Sequence, residues 1–392
     1  MKTIVRMQAD RLRQQLADFP AVLLYGPRQC GKSTLAEMQL PDWTQIDLER
    51  PADAAIMAAD LEGFLTENSR HLLIDEAQRL PALFPALRHV IDRSRGNGRF
   101  LLTGSAGPAL LANAAESLAG RIGMLELTPF MPSELAGGPL EPSRWFWGGY
   151  PPVHQRRSVH ARTDWLDAYV STYLERDLPA LGVRLPAVRL RSLWQMLTHV
   201  HGNVLNVSDL ARSLTVSAHT VANDLDVLEA TFMIRRLPPL FANVQKRLSK
   251  SPKIYLRDTG LLHFLAGLRQ PAELKSWPRR AASFEGLVIE QLCAAAALRF
   301  VRPGIFHWRT QAGAEVDLLI VAGRRAIPVE IKLGASVDPR SLAGLRNCMQ
   351  DLGLKRGYVI TTGEQRRVIG KGIQIVPWRE IVQNCFALFD GT

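Results

Sequence analysis

Apolar residues follow two different patterns along this 392-residue chain. In the first third they bunch into short unbroken runs that end in polar residues: Ala21–Tyr25 in "AVLLYG", then "HLLID", "RFLLTGS" and "IGMLEL". Such runs predict strands buried on both faces, as in a parallel sheet. Near the end they alternate. In "AIPVEIKLG", Val329, Ile331 and Leu333 take one face of a strand and Glu330 and Lys332 the other. In "AEVDLLIVAG", Val316, Leu318 and Ile320 oppose Glu315 and Asp317. Between these regions Leu210, Leu214, Val221, Leu225 and Leu228 keep helical spacing. They predict two short helices, "DLARSL" capped by Ser208 and "AHTVANDLDVLEA" capped by Ser217, followed by a strand, "FMIRRL". The chain reads as α/β in three parts: 1–140, 141–250 and 251–392.

The first part carries the most specific chemistry. "GPRQCGKS" fits G-x-x-x-x-G-K-S, the P-loop, between a predicted strand and a predicted helix. Gly26 and Gly31 permit a backbone that turns amides toward phosphate oxygens. The cradle comprises Gly26, Pro27, Arg28, Gln29, Cys30, Gly31, Lys32, Ser33 and Thr34. Lys32 is expected on the β- and γ-phosphates of ATP and Ser33 on its Mg²⁺. The run "HLLIDEAQ" supplies Asp75 for the Mg²⁺ shell and Glu76 to orient and activate water. Thr103 or Ser105, at the end of "RFLLTGSA", is placed for the γ-phosphate or the water, or simply makes a turn. Arg121 is either a finger reaching a neighbouring subunit's phosphate or a surface ion pair. The Asp-Glu pair favours water over a small-molecule acceptor, which argues against a kinase.

"YGPRQCGKST", "LIDEAQRLPALFPALRHVID", "FLLTGSA" and "SLAGR" together resemble the prokaryotic AAA-type ATPases that carry a C-terminal domain of unknown function. "GGYP" (Gly148–Pro151) and "YLERDL" (Tyr173–Leu178) resemble further landmarks of that family. The resemblance implies ATP binding and self-association into homo-oligomers, and no particular cellular task.

The middle part resembles a winged helix: helix, turn, helix and strand. In DNA-binding examples the second helix enters the major groove, which would present His219, Thr220 and Asn223 to bases. That helix, however, holds Asp224, Asp226 and Glu229 and no Lys or Arg, which fits a protein-contact or spacer module. Lys246, Arg247, Lys250 and Lys253 follow in "QKRLSKSPK" and suit phosphate contacts better. The charge is uneven. Of a net +11, residues 1–140 contribute −2, residues 141–240 +2 and residues 241–392 +11. A basic third part suggests a polyanion such as DNA, duplex or branched, gripped mainly through phosphates.

The predicted order in that third part is a helix ("SFEGLVIEQLCAAAAL"), three strands, a helix and a strand. With its charged set it resembles the PD-(D/E)XK nuclease fold. The resemblance assigns the helix acid to Glu285, with Glu290 as competitor, the first strand acid to Asp317, and the E-x-K pair to Glu330 and Lys332. It implies a second Mg²⁺ between Asp317 and Glu330, polarising a phosphodiester, with Lys332 stabilising the developing charge. "EVD" stands where that family has Pro-Asp. The plainer alternative is a same-face ion pair on a retained scaffold.

Composition adds limits. No apolar run approaches the ~20 residues of a membrane span, and the N-terminal stretch has no signal-peptide pattern. Cys30, Cys293, Cys348 and Cys385 are scattered, as free thiols of a reducing cytoplasm are. The combined expectation is a cytoplasmic ATPase that engages DNA, with a nuclease-fold domain that binds or cleaves phosphodiesters. Its rival is an ATP-switched regulatory or scaffold protein whose nuclease-like domain is inactive.

Overall fold

The computed structural model describes residues 4–94, 96–105, 107–135, 142–183, 185–240, 251–310, 313–370 and 372–389. Lys246, Arg247 and Lys250 lie outside the described residues. Contacts gather into two compact units, Met1–Phe130 with Ala230–Phe232, and Met131–Glu229 with Met233–Thr392. The middle and C-terminal parts of the sequence therefore share one unit.

The first unit is built on five parallel strands: β1 (Ala21–Gly26), β2 (Thr44–Asp47), β3 (Leu72–Asp75), β4 (Phe100–Ser105) and β5 (Ile122–Glu126), in the order β2-β3-β4-β1-β5. β1 lies between β4 and β5, pairing Ala21 with Phe100 on one side and Ile122 on the other. Covered on both faces, it needs no polar side chain, and Ala21, Val22, Leu23 and Leu24 are fully buried. Leu23, Ile74 and Leu102 join Phe84, Leu87 and Ile91 of the helix Leu83–Arg93 in one core. Each such side chain contributes roughly 1.5–3 kcal/mol by leaving water. Because every strand runs the same way, Gly26, Asp75 and Ser105 all end at one edge of the sheet. Ligands of open α/β sheets bind at that edge.

In the second unit, α1 (Val207–Leu214) and α2 (Ala218–Ala230) lead into an antiparallel pair, β6 (Ile234–Leu237) and β7 (Lys253–Leu256). Leu210, Val221, Leu225 and Leu228 are buried as their spacing predicts, whereas Leu214 is only half-buried. The first helix starts two residues earlier than expected. Asn206, not Ser208, caps it, accepting from the Asp209 amide at 3.3 Å. Ser217 does accept from Thr220 N at 3.0 Å, as a cap should.

A long helix, α3 (Arg280–Arg299), then precedes β8 (Gly304–Arg309), β9 (Glu315–Ala322), β10 (Arg325–Lys332), α4 (Ala343–Asp351), β11 (Gly357–Thr361), β12 (Arg367–Ile369) and β13 (Ile373–Pro377). The six strands order as β12-β13-β11-β10-β9-β8. β12 and β13 were not expected. The chain after β6 runs beside β8, with Leu240 N donating to His307 O at 2.8 Å, which ties the hairpin to this sheet.

One expectation fails here. The alternation on β9 is broken: Phe306 pairs with Leu319 but Trp308 with Val316, so β9 carries an extra residue. Val316 and Leu319 thus share the core beneath α4, and the alternating set Val316, Leu318, Ile320 is not one face. The helix α3 is by length and composition alone long and apolar enough to cross a membrane. Yet 61% of its apolar 18-residue window is buried inside the protein. Its Glu285 and Glu290 are both engaged in internal ion pairs, so α3 is the core helix of its unit.

Candidate nucleotide site and carboxylate cluster

β1 ends at Gly26, and the loop to the helix Lys32–Gln39 turns through two left-handed residues, Gln29 (φ 57°) and Gly31 (φ 100°). A Cβ on Gly26 would stand 2.1 Å from Leu127 O, so only glycine fits against β5. Arg6 braces the loop from below, donating to Cys30 O at 2.9 Å and Thr128 O at 2.5 Å. Cys30 is fully buried, its Sγ 3.4 Å from Leu127 O, and burial pushes its thiol pKa up. Arg28 pairs with Glu49 at 3.7 Å. Lys32 is buried, with Nζ donating to the loop's own carbonyls, Gly26 O at 3.2 Å and Pro27 O at 2.9 Å.

Next to this loop, three donors converge on Asp75. Ser33 Oγ donates to Oδ2 at 2.6 Å, the Glu76 amide donates to Oδ1 at 2.9 Å, and Thr103 Oγ1 also donates to Oδ1. Glu76 is itself left-handed, at φ 54° and ψ 44°. Such a conformation costs about 1–2 kcal/mol in a residue with a Cβ, and such costs cluster at functional sites. Gln78 Nε2 donates to Glu76 Oε2 and holds the side chain. A Cβ on Gly104 would lie 2.6 Å from Gln78 Oε1, so that glycine makes room for it. Ser105 is buried with Oγ unpartnered. A hydroxyl and a carboxylate in contact, next to a phosphate-cradling loop, are a donor set suited to a hydrated Mg²⁺.

Arg121 is not at this edge. It precedes β5, at the opposite end of the sheet from Gly26, and its guanidinium grips Asp92 at 2.6 and 3.0 Å. The hydrogen bond to Asp92 raises the arginine pKa and lowers that of Asp92.

The second unit gathers another set of acids. Lys253 Nζ, on β7, lies 3.0 Å from Glu285 Oε1, 2.5 Å from Glu315 Oε1 and 3.3 Å from Asp317 Oδ1. Only 4% of its side chain is exposed. Tyr255 OH also donates to Glu285 Oε1. Asp317 uses its other oxygen to accept from Ile331 N at 2.8 Å. Glu330 pairs with Lys332 at 2.6 Å through Oε1, while its buried Oε2 has no donor. Burial, then the Asp317 charge, pushes Glu285 up to about 7 and Glu330 up to about 8. Burial draws the Lys253 pKa down, but Asp317, Glu285 and Glu315 outweigh it and hold the pKa well above the ordinary lysine value.

This resolves which helix acid belongs to the cluster. Glu285 does. Glu290 instead takes Arg235 and Arg257, the latter at 2.9 Å. Burial alone would raise its pKa, but the two guanidiniums pull it to about 2. It also corrects two expectations. Lys253 is no phosphate contact in this fold, because three carboxylates surround it. A second Mg²⁺ between Asp317 and Glu330 does not fit these contacts either: Asp317 has one oxygen on Lys253 and the other on the Ile331 amide, and Glu330 Oε1 is held by Lys332. The remaining sequence candidates are ordinary. His219 and Asn223 are exposed and Thr220 half-buried, while the acids of that helix are satisfied internally, Asp224 by Arg189 at 3.0 and 3.1 Å and Asp226 and Glu229 by Arg236. "GGYP" packs on Asp258, whose Oδ2 accepts from Gly149 N at 2.7 Å and which also caps the helix Thr259–Leu265.

Sequence reasoning missed Gln78 and Tyr255 and misplaced Lys253. The strand period would have put Lys253 and Tyr255 on one face of "KIYL"; nothing in the sequence tells which acids that face meets.

The loop, the parallel sheet and the Asp75 cluster define an AAA-type P-loop domain, a class that binds and hydrolyses nucleoside triphosphates. Residues 18–136 match the family model of an AAA domain, and residues 141–272 and 280–381 match two domains of unknown function, DUF8612 and DUF4143. The chain is 42% identical over 380 residues to the uncharacterized protein Rv2008c of Mycobacterium tuberculosis, spanning 96% of this chain and 84% of that protein. The same figures hold for the uncharacterized protein Mb2031c of Mycobacterium bovis. The chain belongs to the family of these two proteins. A solved Walker-type ATPase of Pyrococcus abyssi overlaps 67% of this chain and 96% of its own, at 16% identity and a TM-score of 0.47.

Proposed function

We propose that the chain is a Mg²⁺-dependent ATPase that self-associates and engages DNA, and that its C-terminal sheet is a nuclease-like scaffold that does not cut in this folded form. The convergence of Ser33, Thr103 and the Glu76 amide on Asp75, at the strand edge that also holds the P-loop, carries the reading. The loop Gly26–Thr34 wraps the phosphates with its amides. Lys32 exchanges two loop carbonyls for β- and γ-phosphate oxygens, gaining charge-assisted bonds for neutral ones. Ser33 and Asp75 would hold the Mg²⁺, which would supply charge neutralisation to the phosphates. Glu76, aimed by its left-handed backbone and by Gln78, orients the attacking water and takes up its proton. Ser105, buried and unpartnered at the same edge, donates to the γ-phosphate or that water.

The place of Arg121, at the far end of the sheet from its own P-loop, supports action in trans on a neighbouring copy. Asp92 holds it until that copy arrives. Arg121→Ala protein should hydrolyse poorly and recover turnover when mixed with Glu76→Gln subunits; a mixture that stays inactive would remove the finger. DNA engagement rests on the +11 charge of residues 241–392 and on the winged-helix-like order of α1, α2 and the β6–β7 pair. The ATPase itself is tested by Glu76→Gln. That variant should retain ATP through a full gel-filtration run yet release no phosphate, and normal turnover by it would end the assignment.

A further inference from the structure

A nuclease-like sheet is expected to bring its acids around a divalent metal, and here they surround an ammonium. We infer that Lys253 is the resident cation of this cluster, standing where a metal would, so that a divalent ion enters only in exchange for it. The inference rests on the reading of this sheet as nuclease-like only for the expectation of a metal; the contacts stand by themselves.

Three carboxylates on two elements meet Lys253 Nζ: Glu285 from α3, and Glu315 and Asp317 from β9. An ammonium has three protons, and the three carboxylate oxygens within 3.3 Å account for all of them. Asp317 Oδ2 is spent on the Ile331 amide, where the β9–β10 ladder has ended at Val329 and Leu318. The acid is thus locked into the backbone of the neighbouring strand rather than free to turn toward an ion. Lys253 cannot simply drift away, because its strand pairs with β6 and its backbone bridges Val204. An exposed lysine near acids would be a loose ion pair; a side chain with 4% exposure is a structural charge.

Glu330 is left short of a donor. Its Oε2 is buried without a donor and its Oε1 is held by Lys332. With Lys253 removed, Glu285, Glu315 and Asp317 would each leave a carboxylate oxygen facing the vacated position, the ligand type hard cations take. In the native protein those charges are already compensated, and a metal would have to displace a covalently tethered competitor.

The experiment is an Mn²⁺ titration of the full chain without nucleotide, by calorimetry and by the electron paramagnetic resonance of free Mn²⁺. Wild type and Asp317→Asn should behave alike, showing no ion bound at this cluster up to about 1 mM, whereas Lys253→Met should bind one Mn²⁺ with a Kd on the order of 10⁻⁴ M or tighter, the range of carboxylate sites. The double variant Lys253→Met with Asp317→Asn should lose that ion. Wild-type binding that Asp317→Asn abolishes would overturn the inference, because lysine and metal would then coexist. Folded Lys253→Met that gains no ion would overturn it too. If Lys253→Met fails to fold, the wild-type and Asp317→Asn titrations still decide. A protein that fails to hydrolyse ATP or to bind DNA leaves every one of these readouts intact, so the two readings fail separately.

Discussion

Each unit sets a buried lysine near a group of carboxylates, and the two lysines do opposite things. Lys32 keeps off the acids. Its ammonium rests on two neutral carbonyls, and Asp75 is met by two hydroxyls and an amide. Lys253 sits among the acids and satisfies three of them. Neutral partners can be exchanged for a charged ligand at little loss, since each is a bond that phosphate or metal makes more strongly. Charged partners cannot: pulling an ammonium from buried carboxylates leaves both uncompensated. The first arrangement is a site waiting for a ligand, and the second is one whose charge the fold has already balanced.

The largest effect should come from breaking the first arrangement. Lys32→Ala should lower ATP turnover by roughly 10²–10³-fold, the loss seen when a preorganised charge on a reacting centre is deleted. Its unfolding free energy should barely change, because the two carbonyls it leaves can take water once the side chain is gone. A phosphate-release assay beside a urea melt checks both halves. If stability falls as much as turnover, Lys32 is a structural residue and the contrast with Lys253 disappears.

The mirror experiment is Lys253→Met. Removing one partner of a buried ionic group costs about 3–5 kcal/mol, so this variant should unfold at clearly lower urea. ATP turnover of the protein still folded should stay near wild type. A Lys253→Met protein as stable as wild type would show that the three acids carry no charge for it to balance.

Two glutamates five residues apart on α3 sharpen the point through pH. Glu290 is held at about 2 by Arg235 and Arg257, against an ordinary value of 4.5. A depressed carboxyl adds stability that is present above pH 4.5 and lost as pH falls toward 2. Glu285 is pushed the other way, to about 7. Its contribution is complete below pH 4.5 and is lost as pH rises through about 7. Glu290→Gln should therefore flatten the acid limb of a stability profile. Glu285→Gln should flatten part of the alkaline limb, Glu330 supplying the rest because its pKa is raised to about 8. Urea midpoints between pH 3 and 9 measure this, and an unshifted acid limb in Glu290→Gln would deny its pairing with both arginines.

The first unit was the more legible in sequence, for a physical reason. A P-loop is local: Gly26 to Thr34 form it largely from their own backbone, and the strand Leu72–Asp75 ends in Asp75 whatever surrounds it. The parallel order needed only unbroken apolar runs. The carboxylate cluster is nonlocal. Glu285, Glu315 and Asp317 were all visible as acids, but their cation comes from a strand more than thirty residues before the nearest of them, in a stretch whose charge reads as solvent-facing. Glu290 shows the same limit. It shares a helix with Glu285, and only the position of Arg235 and Arg257 separates the two roles. The extra residue on β9 was invisible too, since a bulge leaves the alternating pattern intact on paper and breaks it in the ladder.

The smallest effect concerns DNA, and it separates lysines that the sequence put together. Lys246, Arg247, Lys250 and Lys253 lie in one basic run. Each cation that neutralises a phosphate adds about 0.9 to the slope of log affinity against log salt on duplex DNA. Replacing Lys246, Arg247 and Lys250 together should therefore lower that slope by roughly two to three. Replacing Lys253 should leave it unchanged, because an ammonium enclosed by Glu285, Glu315 and Asp317 releases no counterion from DNA. Fluorescence anisotropy of labelled duplex and branched DNA between 50 and 200 mM salt, corrected for the folded fraction of Lys253→Met, gives the two slopes. A slope that falls with Lys253→Met alone would mean that DNA draws this lysine out of its acids. The cluster would then be a gate that DNA opens rather than a charge the fold keeps closed.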